Sequence, residues 1–130
     1  MIWKLFFVLI FVVIIFAIYV NLPKIEKYED KKTINVYLFF AEWCGHCEKY
    51  LKTGIFMKTY DDLKKDDKYK NVVFKQIDFD KNKEMANKYN IQGFPTIIST
   101  SEDGTLIKEF SGDRNSPNDL KEFTNQSLNN

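Results

Sequence analysis

Both cysteines of this chain fall in one tetrapeptide, Cys44-Gly45-His46-Cys47. Two thiols with a two-residue gap can close on each other at the start of a helix. Upstream lies an apolar run from Ile34 to Phe40, and downstream the chain takes on helical periodicity. In that setting Cys44 sits among free backbone N–H groups and the positive end of a helix dipole. Both favour a reactive thiolate. His46 lies between the thiols, and its partly cationic ring favours the Cys44 thiolate over the disulfide, which makes the pair a stronger oxidant. Trp43 places a flat apolar wall before the nucleophile. The chemistry these residues suit is thiol–disulfide exchange.

Two other uses of the cysteines fit less well. A structural zinc site takes four ligands, whereas this chain has two Cys and one His, and that His lies inside the loop. An inert disulfide across so short a loop would constrain the unfolded chain little. Neither a metal nor an organic cofactor is expected, because the dithiol itself carries the electrons.

The elements that must position this pair can be read from periodicity. Ile34 to Phe40 is β-rich and apolar on both faces, the pattern of a central strand. From Gly45 the chain turns helical, with Cys47, Leu51, Ile55 and Leu63 in steps of four or eight and Gly54 a candidate kink. Val72 to Phe79 reads as a second strand, and Asp80 as the cap of a short helix bearing Met85 and Tyr89. Pro95 opens a third strand, Asp103-Gly104 signals a hairpin, and Thr105 to Phe110 returns as a fourth. Ser116-Pro117 reads as N-cap and first position of a last helix, with Leu120 and Phe123 on its inner face. The order is β-α-β-α-β-β-α, with the first two strands parallel neighbours and the final hairpin antiparallel.

At 130 residues there is room for one domain and a short appendage. Leu5 to Val20 is an uncharged run of sixteen residues with Trp3 and Tyr19 near its ends. As a helix it spans roughly 24 Å, and its flanking residues extend it toward a bilayer of about 30 Å. A cleaved signal peptide is the alternative, but Phe16 to Asn21 offers no pair of small residues two apart. The reading is a signal anchor over residues 1–22, a polar tether over 23–33 and a domain over 34–130. Lys24, Lys27, Lys31 and Lys32 follow the anchor, so a strict positive-inside count would keep the domain cytosolic. An oxidising dithiol belongs in an oxidising compartment, the endoplasmic reticulum lumen or another extracytoplasmic side, and that argument is functional rather than topological. Beyond Lys4 the chain carries eighteen basic and eighteen acidic residues, and no basic stripe marks a nucleic-acid surface. Asn125-Gln126-Ser127 is a glycosylation sequon of a kind common by chance.

The stretch from Phe39 to Cys47 resembles the active-site segment of protein disulfide isomerase domains within the thioredoxin superfamily. Cys-Gly-His-Cys after Trp is the isomerase version; thioredoxins proper usually have Pro where His46 stands. Gly93-Phe94-Pro95-Thr96 resembles the second signature, a cis proline opposite the cysteines. The resemblance covers roughly Ile34 to Phe123. It implies an α/β thioredoxin-like fold in which Cys44 attacks, Cys47 resolves, and Trp43, Phe94 and Pro95 seat an extended substrate. Phe110 to Arg114 resembles a segment whose arginine swings toward the second cysteine and lowers its pKa. Two departures stand out. The buried acid that this family usually carries six residues before the first cysteine is here Leu38. The usual β-α unit before the central strand is also missing, so either the domain is a trimmed core with a bare sheet edge or the tether covers that edge. An insertion around Lys52 to Lys70 is expected as well.

The function these readings imply is a membrane-anchored thiol–disulfide oxidoreductase that forms or isomerises disulfides in protein substrates. The alternatives are a cytosol-facing reductant, or an adaptor that holds a partner at a membrane.

Overall fold

The computed structural model describes residues 1–21 and 32–130. The chain divides into two units, Met1–Asp30 and Lys31–Asn130. In the first, Ile2–Asn21 forms helix α1, apolar from Leu5 to Val20 and without a buried residue. Its length and composition suit a membrane span, and a signal sequence meets the same description. Trp3 and Phe7, one turn apart, stack with ring centroids 6.3 Å apart. Asn21 closes the last turn by donating to the Ala17 carbonyl at 2.8 Å. The expected tether lies outside the described residues except at Lys32 and Thr33.

In the second unit Ile34–Phe40 is strand β1. Its alternate residues enter two different cores, which is why it is apolar on both faces. Ile34, Val36 and Leu38 join Val72, Phe74, Ile97, Leu120 and Phe123 on one side of the sheet. Tyr37 and Phe39 join Ala86 and Ile98 on the other. The sheet order is β2-β1-β3-β4, with β2 at Val72–Asp78, β3 at Thr96–Ser101 and β4 at Leu106–Glu109. β1 runs parallel to β2, with Leu38 opposite Gln76, and antiparallel to β3, with Leu38 opposite Ile97. β3 and β4 form the antiparallel hairpin around Asp103-Gly104, and Tyr89 pins that turn by donating to the Gly104 carbonyl at 2.9 Å. No β-α unit precedes β1 among the described residues.

Two local expectations are corrected. The periodicity after Gly45 belongs to two helices, α2 at Gly45–Thr53 and α3 at Ile55–Leu63. Gly54 between them has φ +67°, a left-handed conformation that ends α2 with its N–H on the Leu51 carbonyl. The helix after β2, α4 at Lys83–Lys88, is preceded by Asn82 rather than capped by Asp80. The cause is Asp78, whose carboxylate accepts from the Asp80 N–H at 3.1 Å while its carbonyl accepts from Asn82 Nδ2 at 3.0 Å. That turn holds the chain out of helix for two more residues. The stretch where an insertion was expected holds α3 and a 3-10 turn, Asp67–Tyr69.

Helix α5, Pro117–Leu128, opens as expected with Ser116 as N-cap and Pro117 at the first turn. Thr124 and Ser127 lie on its buried face, and Ser127 donates to Ser99 on β3 at 2.7 Å. Asn125 accepts from the Tyr69 hydroxyl and from Lys68, both at 2.7 Å, which ties α5 to the 3-10 turn.

Candidate active site

The chain leaves β1 at Phe40, turns through Ala41, Glu42 and Trp43, and enters α2 at Gly45. Cys44 is the N-cap of α2, with φ −89° and ψ 106°. Its sulfur accepts from the Cys47 N–H at 3.3 Å, the bond that Ser or Asp makes at other helix starts. The Cys44 thiol donates to the Phe94 carbonyl at 3.6 Å. Both thiols are free, and Cys47 donates to the Cys44 sulfur across 2.7 Å. Cys47 is fully buried, and burial first, then its bond to Cys44, pushes its thiol up to about 11.

Across from the cysteines the Phe94–Pro95 peptide is cis. Phe94 is packed edge-on by Trp43, with ring centroids at 5.9 Å, and by Phe79 at 4.9 Å. Trp43 keeps 68% of its surface exposed, so the wall faces solvent beside the nucleophile. The Pro95 carbonyl accepts from Arg114 Nη1 at 2.5 Å. Arg114 is held there by a loop anchored on α5. Asp119 accepts from the Asp113 N–H at 3.0 Å and from the Ser116 hydroxyl at 2.8 Å. A side chain at Gly112 would meet Asp119 Oδ2 at 2.9 Å, so the close approach needs glycine. A shallow groove of about 330 Å³ runs from Pro95 and Thr96 to Asp113 and Arg114.

A cysteine pair at a helix start faces a cis proline that leads into β3. The pattern of the thioredoxin family, described as "Thioredoxin", matches residues 23–126. This chain belongs to the thioredoxin family. It is 37% identical over 82 residues to protein disulfide-isomerase of Ricinus communis, a match covering 58% of this chain and 15% of that protein. It is 35% identical over 91 residues to protein disulfide isomerase-like 2-2 of Oryza sativa subsp. japonica, covering 67% of this chain and 22% of the relative. The chain thus spans less than a quarter of the length of these relatives. Among solved structures, the human ERp44 zinc-bound form superposes with a TM-score of 0.64 at 26% identity, over 75% of this chain and 28% of that one. The first two thioredoxin domains of Naumovozyma dairenensis Eps1p give a TM-score of 0.64 at 23% identity, over 77% of this chain and 36% of theirs, which shows the shared fold.

The thioredoxin fold thus brings Cys44, Cys47, Trp43, Phe94, Pro95 and Arg114 to one end of the sheet. His46 stands apart. Its ring is exposed and makes no hydrogen bond or ring contact among the described residues. Leu38, at the position where the family usually carries an acid, is fully buried. Glu42, in the turn before the cysteines, is exposed and paired with Lys81 at 3.1 Å. Lys81 also pairs with Asp78 at 2.8 Å, which holds the Asp78 carboxyl below its usual range. The active-site turn is thereby fastened to the turn after β2, a link with no signal in the sequence because it joins residues far apart in the chain. Tyr50 was missed too. Its phenol is buried near Arg114 and Asp113, and burial pushes it up to about 12.

Proposed function

We propose that this chain is a membrane-anchored thiol–disulfide oxidoreductase of the disulfide isomerase type, acting on protein substrates through Cys44 and Cys47. One observation carries the reading. Cys44 caps a helix and faces the carbonyl before a cis proline, with a second thiol 2.7 Å behind it. The likeness to disulfide isomerases supports it.

In the oxidising direction a substrate thiolate attacks Cys44 Sγ of the disulfide form. The Cys44–Cys47 bond breaks and Cys47 leaves as a thiolate. A second substrate thiolate then attacks the substrate sulfur of the mixed disulfide, which releases Cys44. Two electrons pass to the dithiol and the substrate gains one disulfide. In the isomerising direction the Cys44 thiolate opens a wrong disulfide and Cys47 rescues a stalled intermediate. Trp43 and Phe94 offer the apolar contact that seats a substrate chain along the backbone before Pro95. His46, exposed beside the pair, raises the oxidising power when it is cationic.

Helix α1, within residues 1–22, is the anchor in this reading, residues 23–33 the tether and 34–130 the redox domain. The domain faces an oxidising compartment. The Lys-rich flank after α1 favours the other orientation and with it a cytosolic reductant.

The test is the equilibrium reduction potential of the Cys44–Cys47 pair against glutathione. A value near about −180 mV supports the oxidase or isomerase reading, and one near about −270 mV the reductant. Trapping separates both from an adaptor. Cys47→Ala accumulates mixed disulfides with client proteins if the pair is redox-active and accumulates none if the fold only holds a partner.

A further inference from the structure

The groove of about 330 Å³ beside the cis proline lies between residues 95–97 and 109–115, and Arg114 is the one cation that lines it. Arg114 is exposed and is the only arginine of the chain. A guanidinium carries five N–H donors in a planar fork. Among the described residues Arg114 uses its side chain in one hydrogen bond, to the Pro95 carbonyl, and forms no ion pair. Most of its donors are therefore without a partner among those residues.

The carboxylates of the same region do not take them. Asp119 accepts from the Asp113 N–H at 3.0 Å and from the Ser116 hydroxyl at 2.8 Å. Asp113 accepts from the Asn115 N–H at 2.9 Å, inside its own loop. Glu109 on β4 lines the groove, is exposed, and forms no ion pair with Arg114. The bond to the Pro95 carbonyl already fixes the guanidinium in place. A group fixed before binding loses little conformational freedom when a partner arrives.

This groove starts where a substrate chain reaches the nucleophile. The Cys44 thiol meets the Phe94 carbonyl at 3.6 Å, and the next carbonyl along the chain, that of Pro95, is the one Arg114 holds. The guanidinium thus stands within about 10 Å of the reacting sulfur, a span that two or three extended residues cross. Trp43, Phe94 and Phe79 pack against one another at the same place and supply apolar contact without charge. We propose that Arg114 is a specificity-determining residue: it pairs with a carboxylate carried by the substrate chain about two or three residues from the reacting cysteine. The inference rests on the exchange reaction proposed above and names its substrate class, acidic cysteine-containing segments. An arginine–carboxylate pair can form two parallel N–H···O bonds, which fixes the register of the substrate as well as favouring its charge. A basic side chain at the same place meets a like charge and is disfavoured.

The experiment uses the reduced full chain in an uncharged detergent and three peptides. Each peptide has a single cysteine, held as its mixed disulfide with thionitrobenzoate. The peptides differ only at the second and third residues on either side of that cysteine, which are Glu, Gln or Lys. The Cys44 thiolate attacks the peptide sulfur, the bond to thionitrobenzoate breaks, and thionitrobenzoate leaves as a coloured thiolate, with the peptide now disulfide-bonded to Cys44. Each rate is divided by that of the same peptide with dithiothreitol, which removes the effect of charge on the peptide's own reactivity. The Glu peptide should react about threefold to fivefold faster than the Gln peptide and the Lys peptide more slowly, with a gap that narrows at high salt. Arg114→Gln should bring the ratio of Glu to Gln rates to about one, and Arg114→Glu should turn the preference toward Lys. Circular dichroism checks both folds. Equal rates for the Glu and Gln peptides in the wild-type chain overturn the proposal, and so does a Glu preference that survives in Arg114→Gln. Release by the wild-type chain no faster than by Cys44→Ser, whichever peptide is used, overturns the exchange reading itself, and this inference with it.

Discussion

Cys44 and Cys47 sit less than one turn apart on the same helix and meet opposite surroundings. Cys44 stands at the rim, where the end of α2 and the Phe94 carbonyl meet its sulfur beside a largely exposed Trp43. Cys47 lies under it without any exposed surface, above a core whose nearest strand contributes Leu38. A backbone N–H donates to the sulfur at the rim, and burial disfavours the thiolate three residues on. The fold thus separates a thiol that meets substrate from one that acts when called upon. For the second, the Arg114 charge opposes the effect of burial.

Removing the rim thiol breaks this contrast most severely. Cys44→Ser is expected to lower disulfide exchange by at least about a hundredfold, because the remaining thiol, Cys47, is fully buried and out of a substrate's reach. Reactivation of a scrambled, disulfide-bonded protein measures it. The interior is probed by Leu38→Glu. An uncompensated carboxylate there should cost about 3 kcal/mol at neutral pH, read as a shift of the urea midpoint. Burial raises that carboxyl, so the loss should be smallest below about pH 4 and grow as the pH rises. The same variant should speed resolution, because it gives the Cys47 proton a nearby acceptor.

Trp43→Ala acts only at the rim. It should raise KM for a peptide disulfide about threefold to tenfold through loss of the ring contact, and leave stability within about 0.5 kcal/mol. A further contrast between rim and interior is alkaline. Folding raises Cys47 from 9.0 to about 11 and Tyr50 from 10.0 to about 12, so the fold favours both protonated forms. Their contribution to stability is complete below the unfolded values and is lost as the pH rises through the folded ones. The urea midpoint of the reduced protein should therefore fall from about pH 9 upward. In the oxidised protein, which has no Cys47 thiol to titrate, the fall should begin about one unit higher and be smaller.

Much of this was legible in the sequence, and for a physical reason. β1 reads as central because each face of it enters a core, and the Asp103-Gly104 hairpin and the Ser116-Pro117 helix start are local devices written in neighbouring residues. The cysteine pair was visible for the same reason, whereas the cis proline was expected only from the resemblance of Gly93 to Thr96 to a family signature. What failed was also local in appearance but set elsewhere. Cys47, Leu51, Ile55 and Leu63 keep a helical rhythm across Gly54, and only its backbone shows that the rhythm spans two helices. Asp80 looked like a cap because nothing nearby announced that Asp78 would hold the turn. The Lys81 clamp on Glu42 and the seat of Arg114 at Pro95 join segments distant in the chain, and pattern reading does not reach them.

The sequon in α5 has a temporal meaning. Enzymes that add glycans need an asparagine free to leave its backbone surroundings, and sequons suit surface loops. Here Asn125 is engaged by Tyr69 and Lys68, and Ser127 is fully buried against Ser99. Once α5 has docked, the tripeptide is closed to such an enzyme. If the chain passes through a glycosylating compartment, a sugar on Asn125 would be a time stamp, marking molecules modified before their last helix found its place.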